Sequence, residues 1–407
     1  MPDRRLYFSA AALLMVAACN PPQNRNDSVP PSGALSAPAA GANTAAVVPA
    51  AAPTITASSN PQAQAIDQAE FKEGADGKQS PAAKTSPSGQ TKADQSLAVN
   101  GQAAGFDQSP AAQQQRTLIK AEVLLDRAHF GPGSIDGKDG QNFREAVSAF
   151  EAAHGLNPDG KLDAEVWRQL TQDTQPIMQD YVITDDDVKG PFLDKLPAPS
   201  DYKALAALDH ISYTSPLEGL AEKFHMDPAL LKALNPGADF SKAGTTILVT
   251  APNGAPLPVV DRVEVDKAKE QLRAYDSSNK LVAVYPATVG STEMPTPAGE
   301  YEVTSVQKDP VWNYDPSQLH FGDKKLGKLT IKSGPNNPVG AVWIDLSKPT
   351  YGIHGTPDPE KIGKTASHGC VRLTNWDALT LGAAVHKGTK VAFTGPGNPD
   401  VKAKGKT

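Results

Sequence analysis

A chain of 407 residues with a net charge of −6 has length for two to four domains and a sizeable core, and it offers no basic field to a nucleic acid. Its two cysteines lie far apart, Cys19 closing the N-terminal leader and Cys370 alone in the body of the chain. The leader occupies residues 1–19. Arg4 and Arg5 form a positive n-region, Leu6 to Val16 an apolar h-region too short to span a bilayer, and Val16-Ala17-Ala18-Cys19 ends it.

Small residues directly before a cysteine resemble a bacterial lipobox. That resemblance implies cleavage before Cys19 and lipidation of the new N-terminus. The alternative is ordinary secretion, with Cys19 discarded or kept as a plain thiol. Asn20 is not the Asp that holds such lipoproteins in the inner membrane, so the expectation is a periplasmic protein anchored by lipid to the outer membrane. If Cys19 is acylated, Cys370 has no partner, and an unpaired thiol in an exported protein reads as reactive. Residues 20–111 are rich in Ala, Pro, Ser, Gln, Asn and Gly, with Phe71 and Phe106 as their only aromatics. Such a composition cannot bury enough apolar surface to offset the entropy of ordering, which predicts a disordered linker. As a flexible coil its roughly 90 residues would reach about 50–55 Å.

Residues 112–172 read as three helices. Arg116 to Arg127 places Leu118, Ala121 and Leu125 on one face, and Gly131-Pro132-Gly133 and Asp136-Gly137 end that pattern. Phe143, Ala146, Val147 and Phe150 follow at i, i+3, i+4 and i+7. After the turn Asn157-Pro158-Asp159-Gly160, Asp163 caps a short helix carrying Val166, Trp167 and Leu170. Three helices joined by these glycine turns resemble a small peptidoglycan-binding domain; the bland alternative is a helical spacer. An acidic linker, 173–208, contains Asp185-Asp186-Asp187, which reads as solvated loop. In 209–253, Leu217, Leu220, Ala221 and Phe224 repeat the helical spacing, and Asp227-Pro228 opens a second helix with Leu230, Leu231 and Leu234. With Thr245 to Thr250 as a strand, the strand–helix–helix–strand order resembles a LysM module, which would grip glycan strands.

Residues 258–395 carry short strands between turns, at 262–265, 271–275, 281–285, 329–332, 342–345 and 391–393, with a helix from Trp376 to Val385. That predicts a mainly-β domain, followed by a flexible tail at 396–407. Near its end stand Tyr351-Gly352-Ile353-His354-Gly355 and, sixteen positions after His354, the cysteine of Ser367-His368-Gly369-Cys370-Val371-Arg372-Leu373. This pattern resembles the signature of the L,D-transpeptidases, the YkuD-like family, and Thr296-Pro297-Ala298-Gly299-Glu300-Tyr301 resembles a second marker of it. The chain as a whole thus reads as multidomain: a mainly-β YkuD-like catalytic domain behind a three-helix peptidoglycan-binding domain and an α+β LysM-like module.

Acyl transfer needs a nucleophile, a base and donors for a developing oxyanion. The resemblance implies Cys370 as nucleophile and His354 as the group that takes and returns its proton, with the Gly355 carbonyl orienting the imidazole. The backbone N–H groups of His368, Gly369 and Cys370 are the natural oxyanion donors, and Arg372 a clamp for a substrate carboxylate or a brace for the loop. Ser367 and Tyr351 are supporting residues. The implied reaction uses no cofactor: Cys370 attacks the third-residue carbonyl of a tetrapeptide stem, D-Ala leaves, and an amine captures the acyl group. That amine belongs to a second stem or to the lysine of an outer-membrane lipoprotein. Water as acceptor would make the protein a carboxypeptidase or amidase, and a non-catalytic wall anchor is the remaining alternative. A zinc site built from His354, His368 and Cys370 lacks the accompanying ligand spacing.

Overall fold

The computed structural model describes residues 57–72, 107–291, 295–319, 322–367 and 369–396. Cys19 and its leader, most of the expected linker, His368 and the tail from 397 lie outside the described residues. Within the supposed disordered stretch, the structure corrects the expectation: Pro61–Asp67 is a helix, α1. The Asn60 side chain accepts from the Gln62 N–H at 2.8 Å, and Ala63 and Ile66, one turn apart, are fully buried. Asp67 accepts from the backbone N–H groups of Ile177 and Met178 at 2.8 and 3.2 Å. Average composition conceals a single amphipathic turn of this kind, because so short a helix is stable only against a tertiary partner.

That partner is α2 (Pro110–Arg127), which with α3 (Gln141–Ala153) and α4 (Ala164–Leu170) makes the three-helix unit. Leu118, Ala121, Leu125, Phe143, Ala146, Val147, Phe150, Val166 and Leu170 are all in its core. Two buried glutamates hold its glycine turns. Glu122 accepts from Gly137 N–H and Glu151 from Gly160 N–H, each at 2.8 Å, and both glycines take positive φ, 68° and 72°. An L side chain is disfavoured in that region. Replacing Glu122 with alanine would strand the N–H groups of Asp136 and Gly137 and should lower stability by about 1–3 kcal/mol. Urea unfolding midpoints for the wild type, Glu122→Ala and Glu122→Gln test this; an unchanged midpoint in the alanine variant would refute it.

The middle module differs from expectation at its first strand. Thr246–Thr250 (β2) pairs antiparallel with β1, Met178–Val182, in the register Met178↔Thr250. The partner therefore comes from within residues 173–208, expected as linker, and not from around Ile211, which lies in no strand. Between them run α5 (Asp185–Lys189), α6 (Tyr202–Ala206), α7 (Pro216–Lys223) and α8 (Pro228–Leu234). The acidic run, expected as plain loop, is the first turn of α5. Thr184 and Asp187 form a capping box there, and acidic residues favour a helix N-terminus.

The C-terminal domain is built on an eight-stranded sheet. Its strands are β3 (Val260–Asp266), β4 (Gln271–Tyr275), β5 (Leu281–Pro286), β6 (Gly299–Lys308), β9 (Val342–Leu346), β10 (Gly352–His354), β11 (Val371–Arg372) and β12 (Val385–Thr394). Their order is β11-β10-β9-β6-β12-β3-β4-β5; β3–β12 and β10–β11 are parallel pairs. A separate ribbon, β7 (Trp312–Tyr314) with β8 (Leu329–Ile331), stands off the sheet. The helix α9 (Asn375–Ala384), capped by Thr374, packs Ala378 and Leu381 into the same core as Val342, Ile344, Ile353, Val371 and Val391. The helical unit docks on β5 through main-chain bonds, Gly131 N–H to Val284 O and Val284 N–H to His129 O, both 2.8 Å. Among the described residues no helix is long and apolar enough to cross a membrane.

Candidate active site

The parallel pairing of β10 with β11 sets His354 opposite Arg372 and so brings together two halves of a motif that are distant in the chain. Leu373 N–H donates to the His354 carbonyl at 2.9 Å. The loop before Cys370 is stitched to the strand-like segment 288–291: Ser367 N–H donates to Val289 O at 2.7 Å, and Thr288 and Arg372 exchange bonds of 2.9 and 3.0 Å. Tyr351, His354, Ser367, Cys370 and Arg372 all line one cavity of about 470 Å³.

His354 is buried, and its Nδ1 lies 2.7 Å from the Gly355 carbonyl. A carbonyl only accepts, so Nδ1 carries the proton and Nε2 is left as a base. The imidazole also stacks on Trp343, with ring centroids 5.4 Å apart and planes inclined by 22°. Burial, reinforced by the Arg372 guanidinium, drives its pKa from 6.5 to about 3, against the pull of the Gly355 carbonyl. Cys370 is half-buried, with Sγ 3.7 Å from the Thr350 carbonyl. Desolvation pushes the thiol up, while the Gly352 N–H and Arg372 pull it back. Both shifts favour the uncharged forms of the imidazole and the thiol.

Gly369 is the point at which geometry departs from expectation. Its N–H, expected to face an oxyanion, donates instead to Ser367 Oγ at 3.0 Å. The same hydroxyl donates to the Cys370 carbonyl at 2.5 Å. A serine two positions before the glycine thus closes a local side-chain turn and occupies that donor. Gly369 has φ +117°, and a Cβ there would meet Tyr351 Cε1 at 3.0 Å, which gives Tyr351 a packing role against the loop. Thr296 spans the same turn, accepting from Gly290 N–H at 2.7 Å and donating to Gly369 O at 2.9 Å. The Thr296-Pro297 marker is therefore a brace for the cysteine loop. Burial lowers the pKa of Arg372, and Cys370, Tyr202 and Asp358 oppose that shift. No group of three or more His, Cys, Asp or Glu side chains able to hold a metal ion occurs among the described residues.

Sequence reasoning missed four contributors. Pro199, Ser200 and Tyr202, from the excursion between β1 and α7, line the cavity. Tyr202 stacks on Tyr314 at 4.3 Å and meets Trp312 edge-on at 5.5 Å, joining that excursion to the β7–β8 ribbon. Thr350, whose carbonyl faces Sγ, holds φ +69°, a conformation rare for a β-branched residue. Only its place beside Tyr351 in the sequence hinted at it.

A family model described as "L,D-transpeptidase catalytic domain" matches residues 260–392, and one described as "Putative peptidoglycan binding domain" matches 115–170. The chain is 33% identical over 180 residues to the "Putative L,D-transpeptidase YkuD" of Bacillus licheniformis, covering 44% of this chain and 93% of that one. It is 29% identical over 208 residues to the "Probable L,D-transpeptidase YbiS" of Escherichia coli K12, covering 48% and 67% respectively. With a relative this similar matched along nearly its whole length, and the family model spanning His354 and Cys370, the chain belongs to the YkuD family of L,D-transpeptidases.

Proposed function

We infer that the protein is a peptidoglycan L,D-transpeptidase working through Cys370. The observation that carries this is a thiol and an Nε2-basic imidazole opening into one cavity, with Gly355 O holding the ring at 2.7 Å. In the reaction, Sγ bonds to the third-residue carbonyl carbon of a tetrapeptide stem while its proton passes to His354 Nε2. The Cys370 N–H is the donor we assign to the oxyanion, since that of Gly369 is engaged by Ser367. As the intermediate collapses, the bond to D-Ala breaks and Nε2 protonates the departing amine, leaving a thioester. An amine then attacks the thioester, gives its proton to His354, and the thiol is restored. Arg372 supplies a fixed positive charge in the cavity for a carboxylate of the stem. His368 is assigned a substrate-positioning or structural part.

The three-helix domain at 112–172 and the LysM-like module, extended back to β1, would hold stem peptides and glycan strands. The acceptor amine is that of a second stem, giving a 3→3 crosslink, or the lysine of an outer-membrane lipoprotein. The test is a soluble fragment starting at residue 57, which retains α1, incubated with disaccharide-tetrapeptide and read by mass spectrometry. Loss of D-Ala with a new dimer is expected. Tripeptide monomer alone would make the protein a carboxypeptidase, and no reaction with strong sacculus binding would make it an anchor.

Lipidation of Cys19 places the protein on the periplasmic face of the outer membrane, a reading that rests on the Val16-Ala17-Ala18-Cys19 sequence. Cys19→Ala should then move the protein from the membrane pellet to the soluble periplasmic fraction. An unchanged distribution would count against the anchor.

A further inference from the structure

Against Gly355, the residue after His354, lies a polar cluster contributed by two modules. Asn375, at the start of α9 and 1% exposed, accepts from Ala341 N–H through Oδ1 at 2.9 Å. Its Nδ2 donates to both carboxylate oxygens of Glu222, each at 3.1 Å, and to the Pro335 carbonyl at 3.2 Å. Glu222 sits on α7 of the middle module and also accepts from Tyr213 OH at 2.8 Å. The Asn375 Oδ1 atom fills the space where a Cβ on Gly355 or on Gly340 would stand, so the Gly355 backbone is seated directly against it. That backbone carries the carbonyl that holds His354 Nδ1.

We propose that Glu222 and Asn375 are positioning residues for His354, acting through the Gly355 backbone, so that docking of the middle module sets the orientation of the catalytic base. This rests on the reading of His354 as the proton-transfer group. Two observations carry it independently of sequence resemblance. The carboxylate–amide contact is bidentate and crosses a module boundary, 153 positions apart in the chain. The two glycines in contact with Asn375 leave no slack through which Gly355 could stay in place if the amide moved. Burial raises the pKa of Glu222 to about 7, in keeping with a carboxyl group enclosed at an interface.

The experiment uses the full chain and the release of D-Ala from disaccharide-tetrapeptide, with kcat and KM measured separately and a thermal melt of each sample. Glu222→Ala and the near-isosteric Asn375→Asp, which turns the donor facing Glu222 into an acceptor, should each lower kcat on the order of 10–100-fold, as expected for a displaced base. KM should change by less than about 3-fold, because ground-state contacts are untouched. Placing Glu222→Gln in the Asn375→Asp background restores a donor–acceptor pair and should recover part of kcat. The proposal is overturned if the folded variants keep kcat, if KM alone moves, or if the double variant shows no recovery. A wild-type chain that releases no D-Ala would instead sink the functional reading, and this inference with it.

Discussion

Replacing Cys370 with alanine should reduce D-Ala release by at least about 1,000-fold, to the level left by binding and oxyanion stabilisation alone. The thiol is the strongest nucleophile among the side chains that line the cavity, and the proposed reaction requires it to form a covalent acyl intermediate. Its removal should cost the fold little. Sγ makes only weak contacts, to the Thr350 carbonyl at 3.7 Å and to the Gly352 N–H, and the surrounding loop is held by Ser367, Thr296 and main-chain bonds that do not involve the thiol. A melting temperature and sacculus affinity close to wild type are expected beside the lost turnover. Retained D-Ala release in a folded Cys370→Ala protein would remove Cys370 from the mechanism.

His354→Gln should lower kcat on the order of 100–10,000-fold, the range general acid–base catalysis spans, and it also makes a prediction about pH. The folded-state pKa, about 3, lies below the ordinary 6.5. Between these values the unfolded chain holds a proton on this ring that the folded chain does not. Stability from His354 is therefore complete above 6.5 and is lost as pH falls toward 3. Asp377 and Glu222, both raised to about 7 by burial, act in the opposite sense, so the comparison of variant with wild type isolates the imidazole. Unfolding curves at pH 7 and pH 5 should show the wild type losing more stability than His354→Gln. Since the ring is held neutral, an acid limb of kcat/KM near pH 6.5 should come from Glu222 and disappear in Glu222→Gln; a limb that persists there would contradict the burial-driven shift of His354. Alkylation of Cys370 by iodoacetamide should be slow at neutral pH and rise through the alkaline range, following the raised thiol pKa.

The helices of the three-helix unit and α7, α8 and α9 were legible because their signal is local, whereas the short α1, α5 and α6 were not. Phe143, Ala146, Val147 and Phe150 lie on one face whatever they pack against, and Asp163 and Asp227 cap α4 and α8 through bonds within their own turns. The site motif was legible for a related reason, since His354-Gly355 and Ser367 to Arg372 carry their chemistry in adjacent residues. What escaped is non-local. Nothing in Met178–Val182 announces that its partner is Thr246–Thr250, because a strand's alternation records which face is buried and not which strand lies beside it. The same holds for Tyr202, which reaches the cavity only because α6 packs on a ribbon more than a hundred residues later. Glu222 and Asn375 are ordinary polar residues until the fold places them in contact.

If Cys19 carries a lipid, as proposed above, the docking of α1 sets how far the folded body can stand from it. With Cys19 as the lipid-bearing residue, the leash runs only from there to residue 57, where the chain joins the folded body, and not to the start of the three-helix unit at 112. Those 38 positions can stretch to at most about 130 Å at full extension, against roughly 320 Å for the longer path. The chain numbered 73–106 joins two parts of the folded body, 57–72 and the start of α2, so its length does not enter that limit. A deletion within 20–56 should therefore draw the active site toward the bilayer and shrink the zone of wall it can patrol, whereas an equal deletion within 73–106 should leave that zone as it is.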